Sequence, residues 1–179
     1  MHLLRKTRVS QHTKDVGFVR LTLLFKLIQW REVALRTMNK KTKIPTELLK
    51  AYENTDFKVF GKHPFTLRVH QRSAELLGIY EKLGVDTAAF LTAWNPRSEL
   101  TSQSVNERSQ MKLEAKLSKA GYPFIEGVGI DPKEEWPGED SVLALGISQD
   151  KAISFGREFG QNAIVMVGPD GIAKLLALN

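Results

Sequence analysis

The sequence predicts a single α/β domain, a sandwich in which a mixed sheet of about seven strands is flanked by three or four helices. Three observations predict this fold class. Along the chain, the spacing of hydrophobic residues switches repeatedly between every second residue, as in a strand, and every third or fourth residue, as in a helix. The longer helical segments end at glycine, and two of them begin at serine. Helical and strand segments alternate in the way that is typical of helices packed on a sheet.

The first predicted helix is followed by a hairpin. Pro45 and Thr46 are start signals for a helix that runs to about Asn54. Its apolar side is formed by Leu48, Leu49 and Tyr52. The period then changes to two over residues 57–59 and 65–69, on either side of a Gly-Lys-His-Pro turn. These two segments predict a hairpin with one buried face.

The middle of the chain predicts a helix, a strand and a second, longer helix. Ser73 can cap the first of these helices and Gly84 ends it. Residues 87–94 form an apolar strand that ends before Pro96, because proline has no amide hydrogen and pushes the preceding residue out of helical conformation. A long helix follows over about residues 100–120.

The last third of the domain predicts two strands, a helix and a closing hairpin. Residues 123–130 and 141–147 have strand character, and an acidic loop joins them. Ser148 caps a helix that stops at Gly160. The final two strands flank the turn at residues 168–171, where proline and glycine favour a hairpin.

The positive charge of the chain is concentrated in its first residues. Residues 1–43 contain 11 Lys/Arg and two Asp/Glu, a net charge of +9. The other 136 residues contain 15 basic and 18 acidic side chains, a net charge of −3. We therefore predict that residues 44–179 form the domain. Residues 1–43 would be a basic extension that is either disordered or the result of a mis-assigned start, in which case Met38 would be the true start.

The basic extension allows several interpretations. Its apolar run at residues 17–30 is interrupted by Arg20 and Lys26, so it is too short and too charged to span a bilayer. It could instead form an amphipathic helix at a membrane surface, an organellar presequence or a nucleic-acid contact. Binding to nucleic acid is predicted only through residues 1–43.

The composition excludes several common kinds of site. The chain has no cysteine, which excludes disulfides, thiol catalysis and cysteine-bound zinc, and fits a cytoplasmic location. All four histidines precede residue 71, away from the polar segments described next. The acidic loop before residue 141 lacks any recognised metal-ligand spacing, so no metal site is predicted. No motif identifies a cofactor, and the oligomeric state is left open.

Helical phase predicts a polar cluster beside the end of the central strand. Leu113 and Leu117 must face the core, and steps of three and four residues back along the helix place Gln110, Asn106 and Gln103 on the same side. These amides would then lie near Asn95, where the strand ends. Strand ends next to helix N-termini are common ligand sites in α/β folds. The alternative is that the amides only satisfy backbone groups of the loop.

Other polar residues extend this candidate site. Glu139 is the candidate catalytic general base, and Arg108 is the candidate anchor for a phosphate or carboxylate. Trp136 either packs as a lid or stacks on a planar ligand. The predicted ligand-binding residues are Thr92, Asn95, Asn106, Arg108, Trp136, Gln161 and Asn162.

Four segments of the sequence together resemble a known bacterial family. They are AFLTAWNPRS, NERSQMKLEAKL, WPGEDSVLALGIS and FGREFGQNAIVMV. Over about residues 45–178 the chain is similar to the family labelled domain of unknown function 3293. The resemblance implies one small α/β domain and no particular activity. It marks as family positions Thr92, Asn95, Pro96, Asn106, Trp136, Glu139, Ser141, Gln161 and Asn162.

The sequence supports three functional hypotheses. The first is a domain that binds a small polar or phosphorylated ligand, such as a nucleotide, with catalysis left open. The second is an adaptor module without catalytic activity, which docks a protein through a sheet edge or a loop. The third is nucleic-acid binding through the basic extension.

Overall fold

A computed structural model describes residues 44–133 and 136–178 of the chain. The helices are α1 (Thr46–Asn54), α2 (Ala74–Leu83), α3 (Gln103–Lys119) and α4 (Gln149–Glu158). The strands are β1 (Asp56–Val59), β2 (Phe65–Leu67), β3 (Ala88–Thr92), β4 (Phe124–Ile130), β5 (Glu139–Leu145), β6 (Ala163–Val167) and β7 (Ala173–Ala177). A single 3-10 turn, Pro96–Ser98, follows β3. The predicted order of helices and strands is confirmed.

The seven strands form one sheet in the order β2-β1-β4-β5-β3-β6-β7. The predicted α/β class with seven strands is confirmed, but every neighbouring pair is antiparallel, whereas a mixed sheet was predicted. The reason lies in the connections. Helix α3 joins β3 to β4, and α4 joins β5 to β6, and in each case one other strand lies between the two that are joined. The joined strands run parallel, but the inserted strand makes every adjacent pair antiparallel.

Helices cover both faces of the sheet and bury two hydrophobic clusters. On one face, α2 places Leu76 and Tyr80 against the side chains of the central strands, including Phe90. On the other face, α3 and α4 place Leu113 and other residues against a cluster that includes Leu91. Strands β3 and β5 therefore alternate between two buried faces, which explains why both are almost continuously apolar.

The predicted helix boundaries are confirmed at several caps. The Ser73 hydroxyl accepts from the Leu76 amide at 3.2 Å, and the Ser148 hydroxyl accepts from the Lys151 amide at 3.4 Å. Gly84 ends α2 with a φ of 67°. The long helix α3 begins three residues later than its predicted start near residue 100. The residues before α3 form the loop that carries the candidate site.

Residues 1–43 lie outside the described residues, so the predictions made for the basic extension and for Met38 stay predictions. Within residues 44–133 and 136–178, no helix has the length and apolar character needed to cross a membrane.

Candidate functional site

The chain makes a strained turn immediately after the central strand β3. Three residues of this turn have positive φ angles without being glycine: Asn95 at 43°, Arg97 at 59° and Ser98 at 59°. Such angles are costly for residues with a Cβ atom, so the surroundings must hold them. The Ser98 amide donates to the Asn95 carbonyl at 2.8 Å, and the Arg97 amide donates to the Gly160 carbonyl at 2.7 Å.

Two buried amide side chains of α3 hold this turn in place. The Gln110 Oε1 accepts from the Ala93 amide at 3.0 Å, and the Asn106 Oδ1 accepts from the Asn95 amide at 2.9 Å. Asn106 also donates from Nδ2 to the Asn95 Oδ1 at 2.9 Å, and its Oδ1 accepts from the Thr101 hydroxyl. The inward orientation predicted for Asn106 and Gln110 is confirmed. Both amides satisfy loop groups, as the structural alternative predicted.

The Asn95 side chain links this turn to the start of β5. Its Nδ2 donates to the Glu139 Oε1 at 2.7 Å, while its Oδ1 accepts from Asn106 and, at 3.1 Å, from the Thr101 amide. The Ser141 hydroxyl donates to the Glu139 carbonyl at 2.9 Å and fixes the backbone there. Asn95, Asn106 and Glu139 therefore meet at one place, as the sequence predicted.

Glu139 is the electrostatically unusual group of the cluster. Burial raises the pKa of its carboxyl from 4.5 to about 7, and the hydrogen bond from Asn95 offsets only part of this effect. Its second oxygen accepts no hydrogen bond from the described residues. Among those residues, the fully buried side-chain polar atom without a partner is the Trp94 Nε1. The second oxygen of Glu139 is therefore not fully shielded from solvent.

A second group of polar side chains lies at the other end of the turn. The Tyr52 hydroxyl of α1 and the Ser98 hydroxyl are 2.8 Å apart, and Asn162 donates from Nδ2 to the Ser98 Oγ at 3.0 Å. Burial raises the pKa of Tyr52, hydrogen bonds with Ser98 and Asn162 offset part of this rise, and the charge of Glu139 adds to it. Tyr52 therefore lies within electrostatic range of the Glu139 carboxyl.

Tyr52, Ser98 and Thr101 were not predicted as site residues. Tyr52 fits the apolar side of α1 by period, and nothing in the sequence indicates a contact with a serine 46 residues away. A tyrosine at the C-terminal end of a short helix beside polar loops is the kind of signal that could have raised the question.

Thr92 and Gln161 support the backbone around the site. The Thr92 hydroxyl donates to the Asp140 carbonyl at 2.7 Å and accepts from the Trp94 amide at 3.1 Å. The Gln161 Nε2 donates to the Trp94 carbonyl at 2.9 Å. Both residues hold the end of β3 against its neighbouring strands.

Three further residues of the predicted site have other positions. Arg108 is exposed and lies two residues from Asn106, about 200° around the helix, so it does not join the cluster. Gln103, which lies on the same stripe of the helix as Asn106 and Gln110, is exposed and donates to Glu107 at 2.8 Å, so it does not join the buried amides. Trp136 is half-buried in the loop before β5, and its role stays a prediction.

The site has a single carboxyl at its centre. Residues 44–133 and 136–178 contain no group of three or more histidine and acidic side chains that could hold a metal ion. The chemistry that these contacts support is hydrogen bonding and proton exchange through Glu139, with amide and hydroxyl groups around it.

Comparison with curated proteins and comparison with solved structures each returned no match. The sequence does match the model of a protein family, within a shorter range than the predicted resemblance over residues 45–178. The matched range contains Asn95, Asn106 and Glu139, whereas Tyr52 lies before it. Over residues 91–164 the chain is similar to the family described as Protein of unknown function (DUF3293), which confirms the predicted resemblance.

Proposed function

We propose that this domain binds a small polar ligand at the Glu139 end of the sheet, and that Glu139 contacts the ligand and exchanges a proton with it. The observation that supports this proposal is a largely buried carboxyl whose Oε1 is held by Asn95 at 2.7 Å while its other oxygen accepts no hydrogen bond from the described residues. Polar pockets with perturbed carboxyls are typical of functional sites.

A purely structural role does not account for the carboxyl of Glu139. A glutamine at this position could accept the same hydrogen bond from Asn95 without the cost of burying a charge. The pKa of about 7 indicates that this cost is only partly offset by the surroundings. A carboxyl kept in a costly environment with one free oxygen favours a role in binding.

The side chains around Glu139 favour a ligand group that donates a hydrogen bond. The cluster offers amides, hydroxyls and one carboxyl, and the predicted anion anchor Arg108 lies on another side of α3. A phosphate beside Glu139 would meet a like charge with no cation to offset it. If the ligand is a nucleotide, we therefore propose that its base, and not its phosphate, lies at Glu139.

The pKa of Glu139 also suits acid–base chemistry. A carboxyl with a pKa of about 7 is present in both its protonated and ionised forms at neutral pH. General acids and bases work best when their pKa lies near the operating pH. In this proposal Glu139 keeps the role of general base that the sequence suggested.

The test is a thermal-shift screen of the full chain against nucleobases, nucleosides, nucleotides, sugar phosphates and small amides. A ligand at 100 times its dissociation constant should add about 2.7 kcal/mol to the stability of the protein. We expect stabilisation by at least one uncharged donor-bearing compound, and its loss in Glu139→Gln.

The matched control is Glu126→Gln, which changes an exposed glutamate of the neighbouring strand β4. This variant should respond as the unaltered chain does. The proposal is contradicted if no compound stabilises the chain, or if Glu139→Gln responds as strongly as the control.

The alternative functions gain no comparable support from the described residues. On α3, the exposed apolar residues Val105 and Met111 are six residues apart and so lie on different faces of the helix. They do not form a single docking stripe on α3, and docking of a protein at a sheet edge or a loop stays a prediction. Nucleic-acid binding rests on residues 1–43, which lie outside the described residues.

A further inference from the structure

The hydroxyl groups of Tyr52 and Ser98 together carry two hydrogens, and their contacts with the described residues use only one of them as a hydrogen-bond donor. The two oxygens are 2.8 Å apart, so one hydroxyl donates to the other. Asn162 donates to the Ser98 Oγ, and its hydrogen bond with the Tyr52 side chain lowers the pKa of Tyr52, so Asn162 acts as a donor there as well and offers neither hydroxyl an acceptor. Whichever hydroxyl donates within the pair, the hydrogen of the other has no acceptor among the described residues. The pair therefore presents one free hydrogen-bond donor.

This free donor and the free oxygen of Glu139 flank the same turn. The Ser98 amide donates to the Asn95 carbonyl at 2.8 Å, which closes a four-residue turn. The ends of such a turn have Cα atoms within about 7 Å of each other. Asn95 at one end bonds Glu139 at 2.7 Å, and Ser98 at the other end bonds Tyr52. The effect of the Glu139 charge on the pKa of Tyr52 agrees with this proximity.

We infer that the site takes an uncharged planar ligand edge that carries a hydrogen-bond acceptor next to a donor, as in a primary amide or a nucleobase. The ligand's acceptor binds the free hydroxyl hydrogen of the Tyr52 and Ser98 pair, and its N–H donates to the free oxygen of Glu139. This inference rests on the proposed function, because it adds a second contact to the ligand already placed at Glu139.

Amines, ketones and anions satisfy only one side of this arrangement. An amine donates to Glu139 but offers no acceptor to the hydroxyl pair. A ketone accepts from the hydroxyl pair but has no hydrogen for Glu139. A carboxylate or phosphate meets the ionised Glu139 as a like charge. An amide edge satisfies both free groups, and a buried polar group left unpaired is costly.

The test uses three probes that share a pyridine ring and are uncharged at pH 8: nicotinamide, 3-acetylpyridine and 3-aminopyridine. The first has both an acceptor and a donor, the second only the acceptor on its substituent, and the third only the donor. Their affinities for the full chain are measured by NMR chemical-shift titration at pH 8, where most of the Glu139 carboxyl is ionised given a pKa of about 7.

Two variants are tested. The first combines Tyr52→Phe and Ser98→Ala, which removes the free donor whichever hydroxyl carries it, and the second is Glu139→Gln. Tyr122→Phe is the matched control, since Tyr122 is a half-buried tyrosine that packs in the cluster on the α3 and α4 face. A thermal melt of each variant shows that it is folded. Tyr52→Phe and Ser98→Ala are also made singly, so that the measurement does not depend on the double variant alone.

We expect nicotinamide to bind the unaltered chain and the control about tenfold more tightly than either other probe, the equivalent of one hydrogen bond of about 1.4 kcal/mol. The double variant should lose the preference for nicotinamide over 3-aminopyridine. Glu139→Gln should lose the preference over 3-acetylpyridine.

Two results would overturn the inference. If the probes bind the unaltered chain in a way that depends on Glu139, but the hydroxyl variants keep the preference for nicotinamide, the second contact is wrong and the proposed function stands. If none of the three probes binds, both the inference and the proposed placement of the ligand fail for this class of compound.

Discussion

Replacing Glu139 with glutamine should make the protein more stable at high pH and less able to bind its ligand. The folded pKa of Glu139 is about 7, whereas its ordinary value is 4.5. Between these two values the native state holds a proton that the unfolded state has lost, so native stability falls as pH rises. The full loss, reached above pH 7, is about 3 kcal/mol, because each pH unit between the two pKa values contributes about 1.4 kcal/mol.

Glutamine at this position has no proton to lose, so the Glu139→Gln variant avoids that loss. At pH 8 the variant should be more stable than the unaltered chain by up to about 3 kcal/mol, and at pH 5 by about 1 kcal/mol or less. Urea denaturation at pH 5, 6, 7 and 8 measures the difference. With a typical urea slope of about 1–3 kcal/mol per molar, the full gain of about 3 kcal/mol corresponds to a rise of about 1–3 M in the midpoint at pH 8.

The control for this experiment is Glu126→Gln, which removes a carboxyl from an exposed position. Because other groups titrate in the same range, the difference between variant and unaltered chain is the quantity that isolates Glu139. The reasoning is refuted if the stability difference for Glu139→Gln is the same at pH 5 and pH 8, or if the control shows the same pH dependence.

Two further predictions concern the packing that positions the site. Asn106→Ala should destabilise the fold by about 1–3 kcal/mol, because the Asn95 amide loses its hydrogen-bond acceptor. Chemical denaturation measures this loss. The control is Gln103→Ala, which changes an exposed residue and should alter the free energy of unfolding by no more than about 0.5 kcal/mol. A destabilisation as small for Asn106→Ala as for Gln103→Ala would contradict the structural role given to this amide. Gly156→Ala should destabilise by about 1–3 kcal/mol, because the new Cβ would lie 2.5 Å from a leucine methyl carbon. Gly78 lies in an open position of α2, where a new Cβ would have no other atom within 4 Å, so Gly78→Ala should instead stabilise the protein by about 0.5–1 kcal/mol. Equal changes in melting temperature for Gly156→Ala and Gly78→Ala would contradict the close packing described at Gly156.

Local features of the sequence were sufficient to predict most of the secondary structure. Ser73, Gly84 and Ser148 have specific roles at helix ends, and each lies where its cap was predicted. The direction of neighbouring strands could not be predicted in the same way. A helix between two strands indicates that they run parallel, but it does not indicate that a third strand lies between them.

The candidate site was predictable where it depends on helical phase. Leu113 and Leu117 fix the buried side of α3, so the inward position of Asn106 follows from the period of the helix. Phase alone could not show that α3 begins at Gln103, which leaves that residue exposed. The contact of Tyr52 with Ser98 depends on how α1 packs across the loop, and no local pattern specifies such a distant pairing.

The loop at Asn95 also shows why polar composition alone did not identify the functional residue. Asn95, Asn106 and Gln110 bond mostly to the backbone and to each other, so their number reflects the need to hold a strained turn. Glu139 differs because one of its oxygens has no such partner. The sequence identified the place, and the hydrogen bonds distinguish the groups that support the turn from the group that is free to bind.

The most direct test of this account is an NMR titration of the Glu139 side-chain carboxyl carbon in the full chain, with its signal assigned by its absence in Glu139→Gln. We predict a midpoint of about pH 7, since burial of this carboxyl outweighs its hydrogen bond from Asn95. A midpoint near the ordinary value of 4.5 would contradict the central claim that Glu139 is held in a state suited to proton exchange with a ligand.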